Sequence, residues 1–381
     1  MKKDDFTVFY IDPQSYHNLA VYDYNLIGNM TASVHYFASK HYDYKDMPHN
    51  VKVHKLFKYN KLKSNLLKAL SYLFSYIVLL FFIIIKRPDV IHIQWFRMER
   101  FDKAVISFIK LISKAKIIYT AHNFLPHNSG DKYRSVYNKL YNAVDAIIVH
   151  TDDTKIKIQN AFNVSPDCIH VIPHGLLEME FNHENYKKMI PQFDAKYDFK
   201  DKVVFASLGE QSKYKGVDII AKVWAETPQL AENNKCKLVI AGKFKNLDFK
   251  ELEPLDNVVL DNRRISDEEF YYVLSHSDAY LLTYRDISQS GALLTAMNEQ
   301  VPVIVSNVGG LADPLKIAKV GWVIDDLNEE NLRKLLIHIV NNPLEPQNIK
   351  NDQKAWRKVH DAYNWKNIST TTQNLYQNII L

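Results

Sequence analysis

Short apolar runs alternate with longer amphipathic stretches along most of the chain. Phe6–Ile11, Val90–Gln94 and Ile117–Ala121 have the length and composition of core strands, and residues 101–115 between the last two carry apolar side chains at helical spacing. Residues 145–162 (DAIIVHTDDTKIKIQNAF) read as another strand and helix, and 168–175 (CIHVIPHG) as a short strand. The recurrence of strand, helix and strand predicts a parallel, doubly wound sheet. A second series begins after residue 202, with VVFASLG, CKLVIAG, NVVLDN, AYLLTY and VPVIVS as its strands. Between the two series Glu178–Asp201 is polar, contains Pro191 and has no strand pattern, so it reads as a linker. The C-terminal stretch reads as a helix whose Ile368, Leu375, Tyr376, Ile379 and Ile380 need a partner surface. That predicts a helix returning to the N-terminal domain, and domains over 1–178 plus 365–381 and over 179–364.

The stretch from Tyr284 to Gly310 carries the strongest chemical signal. A strand ends there, a small-residue turn (Ser288, Gln289, Ser290, Gly291) opens a helix, and Gly309-Gly310 forms a second turn after the next strand. A helix N-terminus presents unpaired amides and a positive dipole end, which suits a phosphate. The glycines support this reading. Only 10 occur in 381 residues, and seven (Gly209, Gly216, Gly242, Gly291, Gly309, Gly310, Gly321) fall at or near predicted strand ends of the second series. Ligands of open α/β sheets bind at the carboxyl ends of strands, where glycine lets backbone approach them. The first turn of the N-terminal series has no glycine; Asp12, Ser15, His17 and Tyr22 either line a cleft there or cap the following helix.

Charge is unevenly placed. The net +5 is made of +8 between Met47 and Pro88, where eight Lys or Arg meet no acid, and −3 elsewhere. A local patch of this kind points away from a nucleic-acid-coating protein. Directly after the lysines, Ala69–Ile85 has no charge. As a helix it would be ~26 Å long, short of the ~30 Å hydrocarbon core. It also lies between strands that must share one sheet, so the spanning reading is rejected. The expectation is a helix with one face in the core and a flank on an anionic membrane, with Lys55, Lys58, Lys61 and Lys63 beside it. Cys168 and Cys236 are far apart in apolar surroundings and read as buried thiols of a reducing compartment. The N-terminal MKKDDFTVFYID runs straight into a strand and does not read as a secretory signal.

Two tandem Rossmann-like domains, a polar linker and a closing helix look like the GT-B architecture. VIPHG at 171–175, KYKGVDII at 213–220, AGKF at 241–244 and PVIVSNVGG at 302–310 resemble the group 1 glycosyltransferases, called family 4. ISQSG at 287–291 resembles a branch of that family from bacterial surface-polysaccharide clusters. In the N-terminal half the resemblance rests on HIQW at 92–95, TAHN at 120–123 and VHT at 149–151. It implies transfer of a sugar from a nucleotide-sugar donor to an acceptor, with retention and without a metal. The nucleotide would sit on the C-terminal domain and the acceptor on the N-terminal one. No DxD metal motif stands out.

Carried onto this chain, the resemblance gives Lys215 to the diphosphate, in a loop with Gly209, Lys213 and Gly216. The backbone around Ser290 and Gly291 would hold the phosphates from the other side. His122 would stand near the donor sugar and the acceptor. The family's paired glutamates align with Ile287 and Thr295, at the donor sugar and the ribose respectively, and Asp286 stands one residue from the first. Glu210 and Ser212 occupy places where many members carry an arginine, and Lys213 is the nearest cation. The implied acceptor is a polyprenyl-linked or other glycan. The implied location is the cytoplasmic face of the plasma membrane, in surface-polysaccharide synthesis. The rival readings are a catalytically silent GT-B partner protein, suggested by Glu210, Ile287 and Thr295, and a GT-B nucleotide-sugar epimerase.

Overall fold

The computed structural model describes residues 6–16, 18–59, 62–125 and 133–381, so His17 and Lys61 lie outside the described residues. The chain divides into two compact units, Met1–Gly175 with Tyr363–Leu381, and Leu176–Ala362.

The first unit is built on a seven-stranded parallel sheet, Thr7–Asp12 (β1), Ser33–Ser39 (β2), Val51–Phe57 (β3), Val90–Ile93 (β4), Lys116–Thr120 (β5), Ala146–Val149 (β6) and Ile169–Val171 (β7), ordered β3-β2-β1-β4-β5-β6-β7. The sequence pattern passes over β2 and hides β3 in the basic segment. β3 is an edge strand whose Lys52 and Lys55 are exposed while Val51 and Phe57 are buried. Charge on an edge deters further pairing. Part of the basic patch is therefore strand edge and not helix flank.

The 22-residue helix Asn65–Lys86 joins β3 to β4 and buries Tyr72, Ser75, Tyr76, Leu79 and Ile83 against the sheet. By length and composition it is the one helix among the described residues that could cross a membrane, and only 28% of its most apolar window is buried. Its inner face ties it to a sheet whose β1 and β4 pair directly, as the rejection of a spanning helix requires. The C-terminal helix Trp365–Ile380 packs on the other face. Ile368, Leu375 and Tyr376 are buried with Tyr10, Leu26 and Ile27, and Ile379 and Ile380 lie partly buried beside them. The Gln373 side-chain oxygen accepts from the Thr31 and Ala32 amides at 2.9 and 3.2 Å.

The second unit has six parallel strands, Val203–Leu208 (β8), Cys236–Ala241 (β9), Val258–Asp261 (β10), Ala279–Leu282 (β11), Val303–Ser306 (β12) and Gly321–Ile324 (β13), ordered β10-β9-β8-β11-β12-β13. The supposed linker is largely a helix of this unit, His183–Tyr197, capped by Asn182 and containing Pro191. Its Phe193 and Tyr197 are buried, and Phe193 packs on Tyr272 at 5.1 Å. Its polar composition reflects one wet face, since two aromatic residues four apart suffice to seat it. Gly321 also departs from the glycine pattern, because it opens β13 and abuts the Val303 carbonyl at the start of a strand. Cys236 is buried and Cys168 only partly so.

Candidate active site

Both sheets reverse their strand order once, and a ligand crevice is expected at the carboxyl ends of the strands flanking the reversal. In the second unit those strands are β8 and β11. β8 exits into Gly209, whose φ is +87°, and the chain then makes a short 3-10 turn, Lys213–Lys215, before the helix Val217–Ala225. Gly216 has φ +70°, and a Cβ there would fall 2.0 Å from the Thr283 carbonyl oxygen, so only glycine fits.

The β11 exit grips all three carbonyls of this turn. The Arg285 guanidinium donates to the Lys213 carbonyl. The Arg285 amide donates to the Tyr214 carbonyl at 2.8 Å, and the Thr283 hydroxyl to the Lys215 carbonyl at 3.1 Å. Arg285 also pairs bidentately with Asp218 at 2.7 and 2.8 Å.

The Lys215 ammonium lies 3.7 Å from where a Cβ on Gly209 would stand and 5.9 Å from the Tyr284 ring centre. It has no hydrogen bond or ion pair among the described residues. Burial lowers its pKa, opposed by the charge of Glu210. Glu210 is exposed and paired with Lys245 at 2.8 Å. Tyr284 connects this lysine to the next turn, its hydroxyl lying 3.2 Å from that of Ser290. Ser290 caps the helix Gly291–Asn298 by accepting from the Leu293 amide, so its hydroxyl is already used. The Gly291 and Ala292 amides have no partner among the described residues. Gly310 donates to the Ser288 carbonyl at 3.0 Å and Gly309 abuts the Ile287 carbonyl, which joins the two glycine turns.

Of the residues singled out in this half, Gly209, Lys215, Gly216, Ser290 and Gly291 thus gather around one crevice. Lys213 is exposed and is held through its carbonyl. Asp286 is exposed in the loop before Ser290, and Thr295 is half-buried one turn into the helix. The sequence reading missed Arg285 and Tyr284; the signal was their place directly after β11.

The crevice of the first unit is made of side chains. Asp12, at the end of β1, accepts from the Gln14 amide at 2.6 Å and offers its carbonyl to the Ser15 hydroxyl at 2.9 Å. That hydroxyl accepts from the Ser39 amide at 2.8 Å. Both residues therefore fix the loop, and neither is seen capping the helix Asn18–Gly28. Tyr22 lies within that helix, not at the strand end, and its ring meets those of His122, His150, His174 and Trp365 at 4.9–5.5 Å.

His122 is sandwiched in this cluster, stacked on Trp95 at 4.6 Å. His150 Nδ1 donates to the Ile172 carbonyl at 2.9 Å, and its Nε2 lies 3.2 Å from His122 Nδ1. The other His122 nitrogen meets the Gln94 amide at 2.9 Å, and Gln94 touches His92. His92 in turn meets the Tyr376 hydroxyl at 2.5 Å and the Thr120 hydroxyl at 2.7 Å. Burial lowers the pKa of every ring, to about 3 for His92, about 4 for His150 and about 3 for His174, with His122 also well below its usual value. These are neutral rings, suited to accept or donate hydrogen bonds to a hydroxyl without carrying charge. Sequence reasoning found His122 alone. The signal for the others was a histidine within or just after each of four neighbouring strands, β4 to β7. Among the described residues no group of three or more His, Cys, Asp or Glu could hold a metal.

Comparison with known proteins bears on the family and the fold. Residues 24–176 match the family model Glycosyltransferase Family 4, and residues 189–356 match Glycosyl transferases group 1. An uncharacterized glycosyltransferase of Methanocaldococcus jannaschii is 23% identical over 253 residues, covering 63% of this chain. The alignment spans only 62% of that relative's own length. Among solved structures, sucrose-phosphate synthase from Thermosynechococcus elongatus superimposes with a TM-score of 0.70 at 13% identity, covering 98% of each chain. Anabaena HepE in complex with UDP and glucose gives 0.66 at 13% identity, covering 97% of this chain and 99% of its own. At these identities the likeness is one of fold, two parallel-sheet domains of GT-B type.

Proposed function

We propose, for a chain that belongs to the family 4-like glycosyltransferases of GT-B fold, that it moves a sugar from a nucleotide-sugar to an acceptor glycan. The observation that carries this is Lys215, a half-buried cation with no ion-pair partner among the described residues, set against Gly209 at the reversal point of its sheet. Cleaving a glycosyl phosphate leaves a diphosphate whose charge grows in the transition state, and a fixed ammonium is placed to stabilise it. The Gly291 and Ala292 amides supply the second side of that cradle. The neutral His122, held by Gln94 and His150, would take a hydroxyl of the sugar or acceptor. Asp286 would serve the donor sugar and Thr295 the ribose. Transfer proceeds with retention and with Lys215 in place of a metal. The M. jannaschii relative is named a glycosyltransferase, and HepE was solved with UDP, which supports a nucleotide-linked donor.

Hydrolysis or transfer from radiolabelled sugar nucleotides, after ranking UDP, GDP, ADP, dTDP and CMP by thermal shift, tests the reading. A ligand at a hundred times its dissociation constant adds ~2.7 kcal/mol of apparent stability, enough to rank the bases. A chain that binds nucleotide and turns over no donor is the silent partner instead. A chain that converts one sugar nucleotide to another without an acceptor is an epimerase.

The acceptor is lipid-linked, and the protein sits peripherally on an anionic membrane. Support comes from the helix Asn65–Lys86, on which Leu66, Leu67, Leu70, Phe74, Ile77, Phe81, Ile84 and Ile85 are all more than half exposed. At ~100° per residue these eight fall within an arc of ~100°, opposite the buried stripe. An apolar stripe ~29 Å long, on a helix fixed to its sheet, lies in the plane of a membrane surface. Lys63 and Lys68 flank its start and Lys86 its end. Replacing Phe74 and Phe81 by Asp abolishes co-sedimentation with phosphatidylglycerol vesicles if this is so, and unchanged binding rejects it.

A further inference from the structure

We infer that the reversal point of the first sheet binds a phosphate group, and that this phosphate belongs to the acceptor. The inference rests on the transferase reading above and names a chemical feature of its acceptor.

The reversal lies between β1 and β4, the place where an open sheet of this kind receives a ligand. Gln14 follows β1 and Arg97 follows β4, and they meet across the gap, Arg97 Nη1 to Gln14 Oε1 at 3.3 Å. The Arg97 guanidinium is exposed, and no carboxylate pairs with it among the described residues. It lies 5.7 Å from the ring centre of Tyr59, just beyond the end of β3. Tyr59 is 7% exposed, and its buried hydroxyl has no hydrogen-bond partner among the described residues. A buried hydroxyl left without a partner carries a desolvation cost that a bound acceptor group removes.

The third component is the start of the helix Glu99–Ile112, which has no side-chain cap. Tyr59 reaches this helix through Tyr72, its T-shaped neighbour at 5.5 Å, whose hydroxyl donates to Asp102 at 2.9 Å. Asp102 is occupied, taking the Arg97 and Met98 amides at 2.8 and 2.9 Å as well. The amides of Glu99, Arg100 and Phe101 have no partner among the described residues. Two carboxylates stand near without competing as ion pairs. Asp12 is buried and holds the Gln14 amide, and Glu99 lies in the helix's own first turn. A planar guanidinium, a phenolic hydroxyl and open helix amides together recognise phosphate oxygens. An uncharged glycan acceptor would use none of the three in this way.

The test must separate this anion site from the one at Lys215. Lys215→Ala weakens the latter about ten- to hundredfold, and inorganic pyrophosphate is titrated onto that variant by calorimetry. Binding persists there and falls roughly ten- to hundredfold when Arg97→Gln is added, the effect of one charge-assisted contact. Tyr59→Phe in the same background weakens it less. Arg97→Gln alone leaves UDP affinity unchanged, which shows that the fold and the second unit are intact. Geranyl diphosphate, a soluble prenyl diphosphate, follows the same order and so distinguishes an acceptor site from a headgroup contact on vesicles. The inference is overturned if Lys215→Ala alone binds no pyrophosphate, or if adding Arg97→Gln changes nothing. It is also overturned if pyrophosphate binds this site and geranyl diphosphate does not, which would mark an adventitious ion only. None of these outcomes depends on whether sugar is transferred, so failure here is distinguishable from failure of the transferase reading.

Discussion

The two sheets reverse at equivalent places and fill the resulting crevices with opposite materials. In the second unit the crevice between β8 and β11 is lined by backbone. Gly209 and Gly216 hold positive φ, Gly242 packs against the Gly209 carbonyl, and one lysine supplies the charge. In the first unit the crevice between β1 and β4 has no glycine. Beside it, at the ends of β4 to β6, lie rings and amides, from Gln94 and His92 through His122 to His150 and Tyr22. A backbone cradle suits a ligand part that never varies, such as a diphosphate, because amides read charge and shape only. A side-chain crevice suits a part whose hydroxyls must be told apart. On the transferase reading proposed above, the contrast would give the constant half of the reaction to the second unit and the selective half to the first.

The largest effect expected from this contrast is acid lability confined to the first unit. His92, His150 and His174 titrate at about 3, 4 and 3 when folded, and His122 also lies well below the usual value. Unfolded, each takes up its proton near ~6.5. As pH falls below that value the unfolded chain binds more protons than the folded one, so stability is lost from ~6.5 downward toward the folded pKa values. At pH 5 each ring accounts for at most ~2 kcal/mol; the buried Asp23 and Asp102 of the same unit, raised to about 6 and about 7, bind protons in the folded chain over the same range and offset part of that loss. Hydrogen exchange resolved by segment at pH 7 and pH 5 measures this. Protection in β4–β7 should fall well before protection in β8–β12, and parallel loss in both sheets would sink the idea.

The next effect concerns the ligand. Lys215→Ala should lower nucleoside diphosphate affinity ~10- to 100-fold, the measure of one charge-assisted contact at ~1.5–3 kcal/mol. His122→Asn keeps a hydrogen-bonding side chain in the first unit and should leave that affinity unchanged while slowing turnover. Calorimetry on both variants checks the division of labour. A nucleotide defect in His122→Asn would show that the two crevices are not so distinct.

The same contrast decides what could be read from the sequence. Glycines at strand ends are scarce and have one physical reason to be there, so Gly209, Gly216 and Gly291 stand out in the sequence. The C-terminal helix was legible as well, because Ile368, Leu375 and Tyr376 needed a surface that the rest of the chain had to supply. Side-chain crevices leave a fainter mark, here a histidine within or just after each of β4 to β7. His92, His150 and His174 come from three separate strands, and their convergence exists only once β4 to β7 lie side by side. The helix His183–Tyr197 was lost for a different reason. Its apolar face is so narrow that a polar composition and Pro191 outweighed it. β3 was lost because lysines on an edge strand look like a basic helix flank.

The smallest effect tests whether the backbone cradle is held in shape before any ligand arrives. Arg285 bonds the Lys213 carbonyl through its side chain and the Tyr214 carbonyl through its amide, while its guanidinium also pairs with Asp218. Lysine at this position keeps the charge and the backbone amide, but an ammonium cannot span both the carbonyl and the carboxylate as a planar guanidinium does. One ordinary hydrogen bond is lost, worth ~0.5–1.5 kcal/mol. Arg285→Lys should therefore weaken UDP binding about two- to tenfold, and Asp218→Asn should do nearly the same, with little further loss in the double variant. The non-additivity is the informative part, since both changes loosen one clamp around Lys215. If Arg285→Lys were as damaging as Lys215→Ala, Arg285 would be touching the phosphates itself. If it had no effect, Gly216 against the Thr283 carbonyl and the Thr283 hydroxyl on Lys215 would suffice to shape the turn alone.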